Sequence, residues 1–118
     1  MLIVDDHRLF AEALATILES DSRIEVVGQA HNGEQAVELA AAEKPHVVLM
    51  DLQMPKLDGV EATRQIKKKR RSTHVLMLTG SSSAADVARA REAGAAGYVT
   101  KDRIASELID SIIEAAGE

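Results

Sequence analysis

The sequence contains no cysteine, almost no aromatic residues and no long hydrophobic run. The lack of cysteine excludes disulfides and thiolate chemistry, so nothing indicates an oxidising compartment. Phe10 and Tyr98 are the only aromatic side chains, too few for a platform that stacks sugars or nucleic-acid bases. No apolar run approaches the about 20 residues that cross a membrane, and the first residues do not resemble a signal peptide. We therefore expect a cytoplasmic protein with no membrane partner.

The composition that remains is that of an ordinary globular protein with a small acidic excess. The 118 residues are 46% hydrophobic and 28% charged, and their net charge is −5. This length corresponds to one domain, in which burial of roughly two-thirds of the unfolded chain's surface allows one hydrophobic core. The acidic balance argues against general binding of nucleic acids or anionic membranes by the domain as a whole.

Five short apolar segments alternate with five segments of helical periodicity. We predict strands at 2–4, 24–30, 46–50, 74–79 and 97–100, the second of them in an exposed, edge-like position. The predicted helices begin near residues 7, 32, 59, 84 and 104. The first of these helices has its apolar face at Phe10, Leu14, Ile17 and Leu18. The alternation is typical of an α/β protein with one parallel sheet and helices on both faces.

Polar residues that could bind a ligand or take part in a reaction stand at the ends of four predicted strands. Asp5 and Asp6 follow the first strand, Asp51 follows the third, Thr79 ends the fourth and Lys101 follows the fifth. Right-handed crossovers place the carboxyl ends of all strands along one edge, where doubly wound sheets bind ligands. Three clustered carboxylates require a cation, and a set of oxygen ligands favours Mg²⁺ or Mn²⁺ over zinc.

Each of these residues also has an ordinary interpretation. Asp6 alone fits the N-cap of the first helix, Thr79 a strand-end hydroxyl, Lys101 a solvated amine and Tyr98 a core residue. The chemical interpretation therefore depends on their joint placement. A carboxylate beside Mg²⁺ can attack phosphorus and form an aspartyl phosphate, a reaction that needs mainly positioning and charge neutralisation.

Two further segments have interpretations that bear on binding and mobility. The basic run 67–71 fits either a nucleic-acid contact or a solvated helix end whose cations complement the helix dipole, and we favour the second. The fourth helix is rich in alanine, with Val87 as its largest apolar residue, which predicts a lightly held, mobile element. Gly94 fits the position after that helix, where a positive φ is common.

Four stretches of the sequence, taken together and in order, resemble one known family. They are Val4-Asp5-Asp6-His7, residues 50–55 with Asp58-Gly59, Leu78-Thr79-Gly80, and residues 94–101. The chain is similar to the receiver domains of two-component response regulators over nearly its whole length, and its first helix begins like the NarL/FixJ-type subfamily. The resemblance implies one receiver domain over residues 1–118 with the CheY-like, flavodoxin-like fold. In that fold a single doubly wound, five-stranded parallel sheet of order 2-1-3-4-5 is flanked by five helices.

The resemblance also implies a phosphoacceptor and a metal site. Asp51 would accept the phosphoryl group. Asp6, Asp51 and the main-chain carbonyl of Gln53 would hold Mg²⁺, or Mn²⁺ in its place, and Asp5 would act through a bound water.

A second set of roles concerns catalysis and switching. Thr79 and Lys101 would contact the phosphoryl oxygens and assist Asp51, so that the domain catalyses its own Mg²⁺-dependent phosphorylation and dephosphorylation without being an enzyme for other substrates. On phosphorylation Thr79 would move inward and Tyr98 would follow it. The surface changed by this switch would comprise the fourth helix, the fifth strand and the fifth helix.

The implied partner is a sensor histidine kinase, whose phosphohistidine donates to Asp51. The resemblance is compatible with a homodimer formed on phosphorylation, and it implies contact with DNA only through a helix-turn-helix output domain outside this chain, which would make the function transcription regulation. One alternative is a Mg²⁺-dependent phosphohydrolase of the haloacid-dehalogenase kind, but its second Asp would lie two residues after the first rather than adjacent, as in Asp5-Asp6. The other is a non-phosphorylated interaction module, which predicts the loss of a site group that this sequence retains.

Overall fold

The strands and helices alternate along the chain as predicted. The computed structural model describes residues 1–51, 59–79, 84–100 and 104–116, and for residues 79, 84, 86, 104–106, 115 and 116 it describes the backbone alone. The strands are β1 (Leu2–Val4), β2 (Gly28–Ala30), β3 (Val47–Asp51), β4 (His74–Thr79) and β5 (Gly97–Thr100). The helices are α1 (Arg8–Glu19), α2 (Gly33–Glu43), α3 (Gly59–Lys69), α4 (Ala84–Glu92) and α5 (Ile104–Ala116).

The strands form one parallel sheet in the order β2-β1-β3-β4-β5. This confirms the predicted fold class and makes β1 and β3 neighbours, with Val4 opposite Met50 in the register. The residues that follow Val4 and Met50 therefore leave the sheet side by side at the same edge. No helix among the described residues is both long and apolar enough to span a membrane.

Both faces of the sheet are covered by helices, which explains why its central strands are continuous apolar runs. Successive strand residues point to opposite faces, so β3 divides its side chains between two core clusters. One cluster joins the sheet to α1 and α5, and it includes Ile3, Leu14, Leu18, Leu49, Leu76, Leu78, Leu108 and Ile112. The other joins it to α2, α3 and α4, and includes Leu2, Val4, Val48, Met50, Val60, Ile66, Val75, Met77 and Ala90.

The second strand is shorter than the predicted segment 24–30. It covers Gly28–Ala30 because its sheet neighbour β1 offers three residues for pairing, from Leu2 to Val4. Before it, the N–H of Val27 donates to the carbonyl of Met1 at 2.8 Å, so the chain already follows β1 without a regular ladder. The predicted edge position is confirmed, since β2 is terminal in the sheet order.

The first helix differs from its prediction at two positions. Its N-cap is His7, not Asp6, and no side chain caps the helix; instead the N–H of His7 donates to Oδ1 of Asp5 at 2.9 Å. Ile17, predicted on the buried face, is 48% exposed, because Ala11, Leu14, Ala15 and Leu18 turn towards the sheet. The carboxylate of Asp6 is therefore not used in capping.

The basic run lies at the end of α3, which finishes at Lys69. The ammonium of Lys67 donates to the carbonyls of Arg71 at 2.6 Å and Thr73 at 2.9 Å, so it ties the chain that leads into β4. The other four basic side chains, from Lys68 to Arg71, are exposed. This arrangement agrees with the solvated helix end that we favour.

The fourth helix ends as the sequence predicts, with Gly94 in a conformation that suits glycine. Its φ is 106°, the N–H of Gly94 donates to the carbonyl of Arg91, and the N–H of Ala95 donates to that of Ala90, both at 3.0 Å. This pair of bonds is a Schellman motif. A Cβ at Gly94 would lie 3.1 Å from Cγ of Lys67, so position 94 is restricted by both backbone strain and space.

We expect Gly94→Ala to lower the free energy of unfolding by about 1–3 kcal/mol, because the substitution forces a non-glycine residue into an unfavourable φ. Gly28→Ala is the matched control, since its Cβ would lie 3.6 Å from Cδ1 of Leu2, an ordinary contact. The control should stay within about 0.5 kcal/mol of the parent. Urea denaturation of the three proteins measures both changes, and equal stabilities for the two variants would contradict the prediction.

Candidate metal centre

Three carboxylates meet at the carboxyl edge of the sheet, where β1 and β3 end next to each other. Asp51 is the last residue of β3 and is only 4% exposed, and Asp5 directly follows β1 and is fully buried. Asp6 is half-buried beside them. Burial of charged carboxylates is costly without compensating partners, so this edge requires positive charge or donors.

The geometry of the cluster fits one divalent cation. Asp5, Asp6, His7 and Asp51 each offer one ligand atom, and these four atoms all lie within 4.8 Å of one another. Oxygen ligands on opposite sides of one Mg²⁺ stand about 4 Å apart. The slightly larger spread suits an ion that contacts some of these groups directly and others through bound water.

Two buried carboxylate oxygens support the same conclusion. Within the part of the chain that the structure describes, Oδ2 of Asp5 and Oδ1 of Asp6 are buried and accept no hydrogen bond. Buried polar atoms are normally hydrogen-bonded, so an orphaned oxygen marks a place for a water or an ion. Both oxygens belong to residues of the cluster, and they are hard ligands of the kind that Mg²⁺ prefers. The residues present therefore fit a magnesium ion.

The sequence interpretation missed His7 as a neighbour of this cluster. Its Nδ1 lies 3.4 Å from Oδ1 of Asp5 and 3.2 Å from Oδ1 of Asp6. The second contact is an ion-pair distance without a hydrogen bond, since Oδ1 of Asp6 has no hydrogen-bond partner among the described residues. The ring is 73% exposed. Its position directly after Asp6 was the available signal, because a residue that opens a helix stays close to the strand end before it.

Of the other predicted site residues, the structure describes Tyr98 and the backbone of Thr79. Thr79 ends β4 and stands opposite Thr100 in the register of β4 and β5. Tyr98 lies in β5 opposite Met77 and is 39% exposed, so it is not the plain core residue of the ordinary interpretation. Gln53 and Lys101 lie outside the described residues, as do residues 80–83.

Comparison with known proteins identifies the family. Residues 1–113 match the family described as the response regulator receiver domain. This chain belongs to that family. The receiver domain is 39% identical over 112 residues to the transcriptional regulatory protein DegU of Brevibacillus brevis, covering 95% of this chain and 48% of that protein. It is 41% identical over 112 residues to the response regulator protein VraR of Staphylococcus aureus, covering 95% of this chain and 54% of that protein.

Solved structures support the same family and fold. The receiver domain superimposes on the signal receiver domain of the response regulator NarL from Mycobacterium tuberculosis with a TM-score of 0.93 and 33% identity, over 98% of this chain and 94% of that one. For the response regulator domain of CheB from Thermotoga maritima the TM-score is 0.92 with 35% identity, over 99% and 95% of the two chains. These relatives place the protein among NarL-like receivers and not among haloacid-dehalogenase phosphohydrolases.

The receiver domain spans about half the length of the curated relatives that it matches, 48% of DegU and 54% of VraR. Members of the receiver family bind Mg²⁺ at acidic residues, and the cluster of Asp5, Asp6 and Asp51 is the acidic group that this chain offers among its described residues.

We expect Asp6→Asn to have opposite effects on stability with and without Mg²⁺. In EDTA the variant should be more stable than the parent by about 1 kcal/mol, because one of three crowded like charges is removed. With excess Mg²⁺ the parent should gain the stability that ligand binding supplies, and the variant should lose most of that gain.

Thermal unfolding in EDTA and in Mg²⁺ measures both effects. Asp110→Asn is the matched control, because Asp110 is an exposed acid on α5 and its removal should leave the response to Mg²⁺ intact. A destabilised Asp6→Asn protein in EDTA, or an unchanged Mg²⁺ response, would show that the carboxylates do not repel one another around a cation site.

Proposed function

We propose that residues 1–118 form one receiver domain that accepts a phosphoryl group on Asp51. The observation that carries this proposal is the convergence of Asp5, Asp6 and Asp51 at one sheet edge, with two buried oxygens that lack hydrogen bonds among the described residues. Such a cluster is suited to hold a divalent cation, and phosphoryl transfer depends mainly on positioning and charge neutralisation. Of the three carboxylates, only that of Asp51 is carried by a residue within a strand, since Asp51 is the final residue of β3.

Mg²⁺, or Mn²⁺ in its place, is the proposed cofactor. Asp6, Asp51 and the main-chain carbonyl of Gln53 would hold it, and Asp5 would act through a bound water. When bound, the ion neutralises charge on the incoming phosphoryl oxygens. The hydrogen bonds of the buried Asp5 support an indirect role for it. One of its oxygens already accepts the N–H of His7, and the other has no hydrogen bond among the described residues, so it can hold a water.

The chemical step is an in-line displacement at phosphorus. A carboxylate oxygen of Asp51 attacks and forms the new O–P bond, while the bond to the donor breaks and its electron pair leaves with the donor nitrogen or oxygen. Thr79 and Lys101 would contact the phosphoryl oxygens as charge builds on them. Attack by water on the phosphorus of the aspartyl phosphate releases inorganic phosphate and restores Asp51, so the domain catalyses both its own phosphorylation and its dephosphorylation.

The proposed switch connects Thr79 to Tyr98. The two residues lie on neighbouring strands, because Thr79 stands opposite Thr100 in the register, two residues beyond Tyr98. The adjoining helix α4 is lightly packed: of its described side chains Ala90 is buried and Val87 is half-buried. Phosphorylation would draw Thr79 inward, Tyr98 would move after it, and the surface of α4, β5 and α5 would change between two states.

The proposed partner that supplies the phosphoryl group is a sensor histidine kinase. The output is proposed to be transcription regulation through a DNA-binding domain, because DegU is a transcriptional regulatory protein of about twice this length. A homodimer formed on phosphorylation would fit the same scheme. No helix among the described residues is long and apolar enough to cross a membrane, and we propose that the domain acts in the cytoplasm.

The first test is phosphorylation by a small-molecule phosphodonor. With acetyl phosphate and Mg²⁺ the parent should gain the mass of one phosphoryl group, measured by intact-protein mass spectrometry, and EDTA should prevent the gain. Asp51→Asn should abolish it because the amide is a poor nucleophile, whereas Asp110→Asn should keep it. Incorporation into Asp51→Asn at the parent's rate would place the acceptor elsewhere and defeat the proposal.

The second test separates phosphoryl binding from switching. Beryllofluoride with Mg²⁺ should shift the amide resonances of Asp51, Thr79, Lys101 and Tyr98 in the parent. In Thr79→Ala the shift at Asp51 should remain and the shift at Tyr98 should shrink, because the variant lacks the hydroxyl that is proposed to link the site to β5. Equal shifts at Tyr98 in both proteins would rule out the proposed coupling.

A further inference from the structure

Asp5 is held at three of its four polar groups. Its N–H donates to the carbonyl of Ala30 at 3.0 Å, and its Oδ1 accepts the N–H of His7 at 2.9 Å. Its carbonyl lies 3.2 Å from Nδ1 of His31. Oδ2 is left buried and without a hydrogen bond among the described residues. The chain around Asp5 therefore fixes this residue so that a single oxygen remains for the metal site.

His31 differs from the other two partners of Asp5. The carbonyl of Ala30 and the N–H of His7 are main-chain groups, which almost any residue at those positions supplies. The contact from position 31 is made by an imidazole nitrogen, so it depends on the identity of the side chain. A carbonyl oxygen can only accept, and this assigns the hydrogen to Nδ1 of His31.

The main chain that carries the imidazole is held by hydrogen bonds at the start of α2. Asn32 is the N-cap of α2, and its Oδ1 accepts the N–H of Gln35 at 2.9 Å. Oε1 of Gln35 in turn accepts the N–H of His31 at 2.9 Å. This reciprocal pair resembles a capping box, and it holds the main chain of His31 where its ring reaches the end of β1.

We propose that His31 is a positioning residue of the metal site. The carbonyl that it binds belongs to the peptide joining Asp5 to Asp6, so the hydrogen bond fixes the rotation of that peptide. The rotation sets the directions in which both carboxylates leave the chain. His31 thus links α2 to the affinity of the acidic cluster for a divalent cation, although its own ring binds a carbonyl rather than the ion.

The inference rests on the proposed function in one respect: it takes Mg²⁺ as the ion that binds at Asp5 and Asp6. Loss of the hydrogen bond should weaken Mg²⁺ binding about five-fold, the effect expected for one neutral hydrogen bond that orients the ligands. The effect should appear in the dissociation constant for Mg²⁺, because the fold is held by two apolar clusters to which His31 does not belong.

The test measures the dissociation constant for Mg²⁺ by calorimetry on the full chain, well below the unfolding temperature of each variant. His31→Ala and His31→Phe remove the donor, and the second keeps a ring of similar size. His31→Asn restores a donor, because the amide nitrogen of Asn stands as many bonds from the main chain as Nδ1 of His. His46→Ala is the matched control, since His46 is exposed just before β3, at the opposite end of the sheet.

We expect His31→Ala and His31→Phe to bind Mg²⁺ about five-fold more weakly than the parent. His31→Asn should bind within about two-fold of the parent, and His46→Ala should bind equally well. If His31→Ala does not fold, the comparison of Asn with Phe at position 31 decides alone.

Two results would overturn the inference while leaving the proposed function intact. In the first, His31→Phe binds Mg²⁺ as tightly as the parent. In the second, His31→Asn binds as weakly as His31→Phe, which would show that donation to the Asp5 carbonyl is not the reason for the effect. If the parent itself binds no Mg²⁺, the assignment of the ion fails, and both the proposed function and this inference fail with it.

Discussion

The candidate site depends on one electrostatic constraint, the crowding of three carboxylates at the carboxyl edge of a parallel sheet. Asp5 and Asp51 are buried there, and Asp6 is half-buried beside them. Like charges at this separation repel one another, and burial removes the water that would screen them. The arrangement is sustainable only with a cation, protons or donors in the gap. A site of this kind binds a divalent ion readily and attracts a phosphoryl group once the ion is present.

The rest of the fold keeps those carboxylates from moving apart. β1 and β3 are central strands covered by helices on both sides, so their ends are held by the two apolar clusters. The end of β1 is further held by three hydrogen bonds of Asp5: its N–H donates to the carbonyl of Ala30, and it accepts from His7 and His31. Helix α4, which follows β4, is packed less tightly, because of its described side chains only Ala90 is buried and Val87 is half-buried. A rigid site next to a lightly packed helix is the combination that a conformational switch requires.

Much of the fold could be predicted from local pattern, and the errors have physical causes. Strands β3, β4 and β5 were placed within a residue because continuous apolar runs between turn residues are characteristic of a sheet covered on both faces. β2 was predicted too long, since its length is set by how many residues β1 offers for pairing rather than by its own composition. The N-cap was assigned to Asp6 on residue preference, whereas the structure begins α1 one residue later and leaves that carboxylate in the acidic cluster. Ile17 fits the helical stripe, but the small side chains Ala11 and Ala15 allow a closer approach to the sheet and turn it outwards.

The sequence by itself determined the alternation of strands and helices, the acidic, hydroxyl and amine residues that follow the strands, and the family to which the chain belongs. These properties are carried by neighbours in the chain and by motifs that can be read in order. The strand order that puts β1 beside β3 was expected only from the family resemblance, and the structure confirms it. The tertiary structure alone decided that His7 faces the carboxylates and that His31 reaches the carbonyl of Asp5 from 26 residues away. Contacts of this kind depend on which strands pair and how a loop crosses the edge of the sheet, and no local pattern of side chains contains that information.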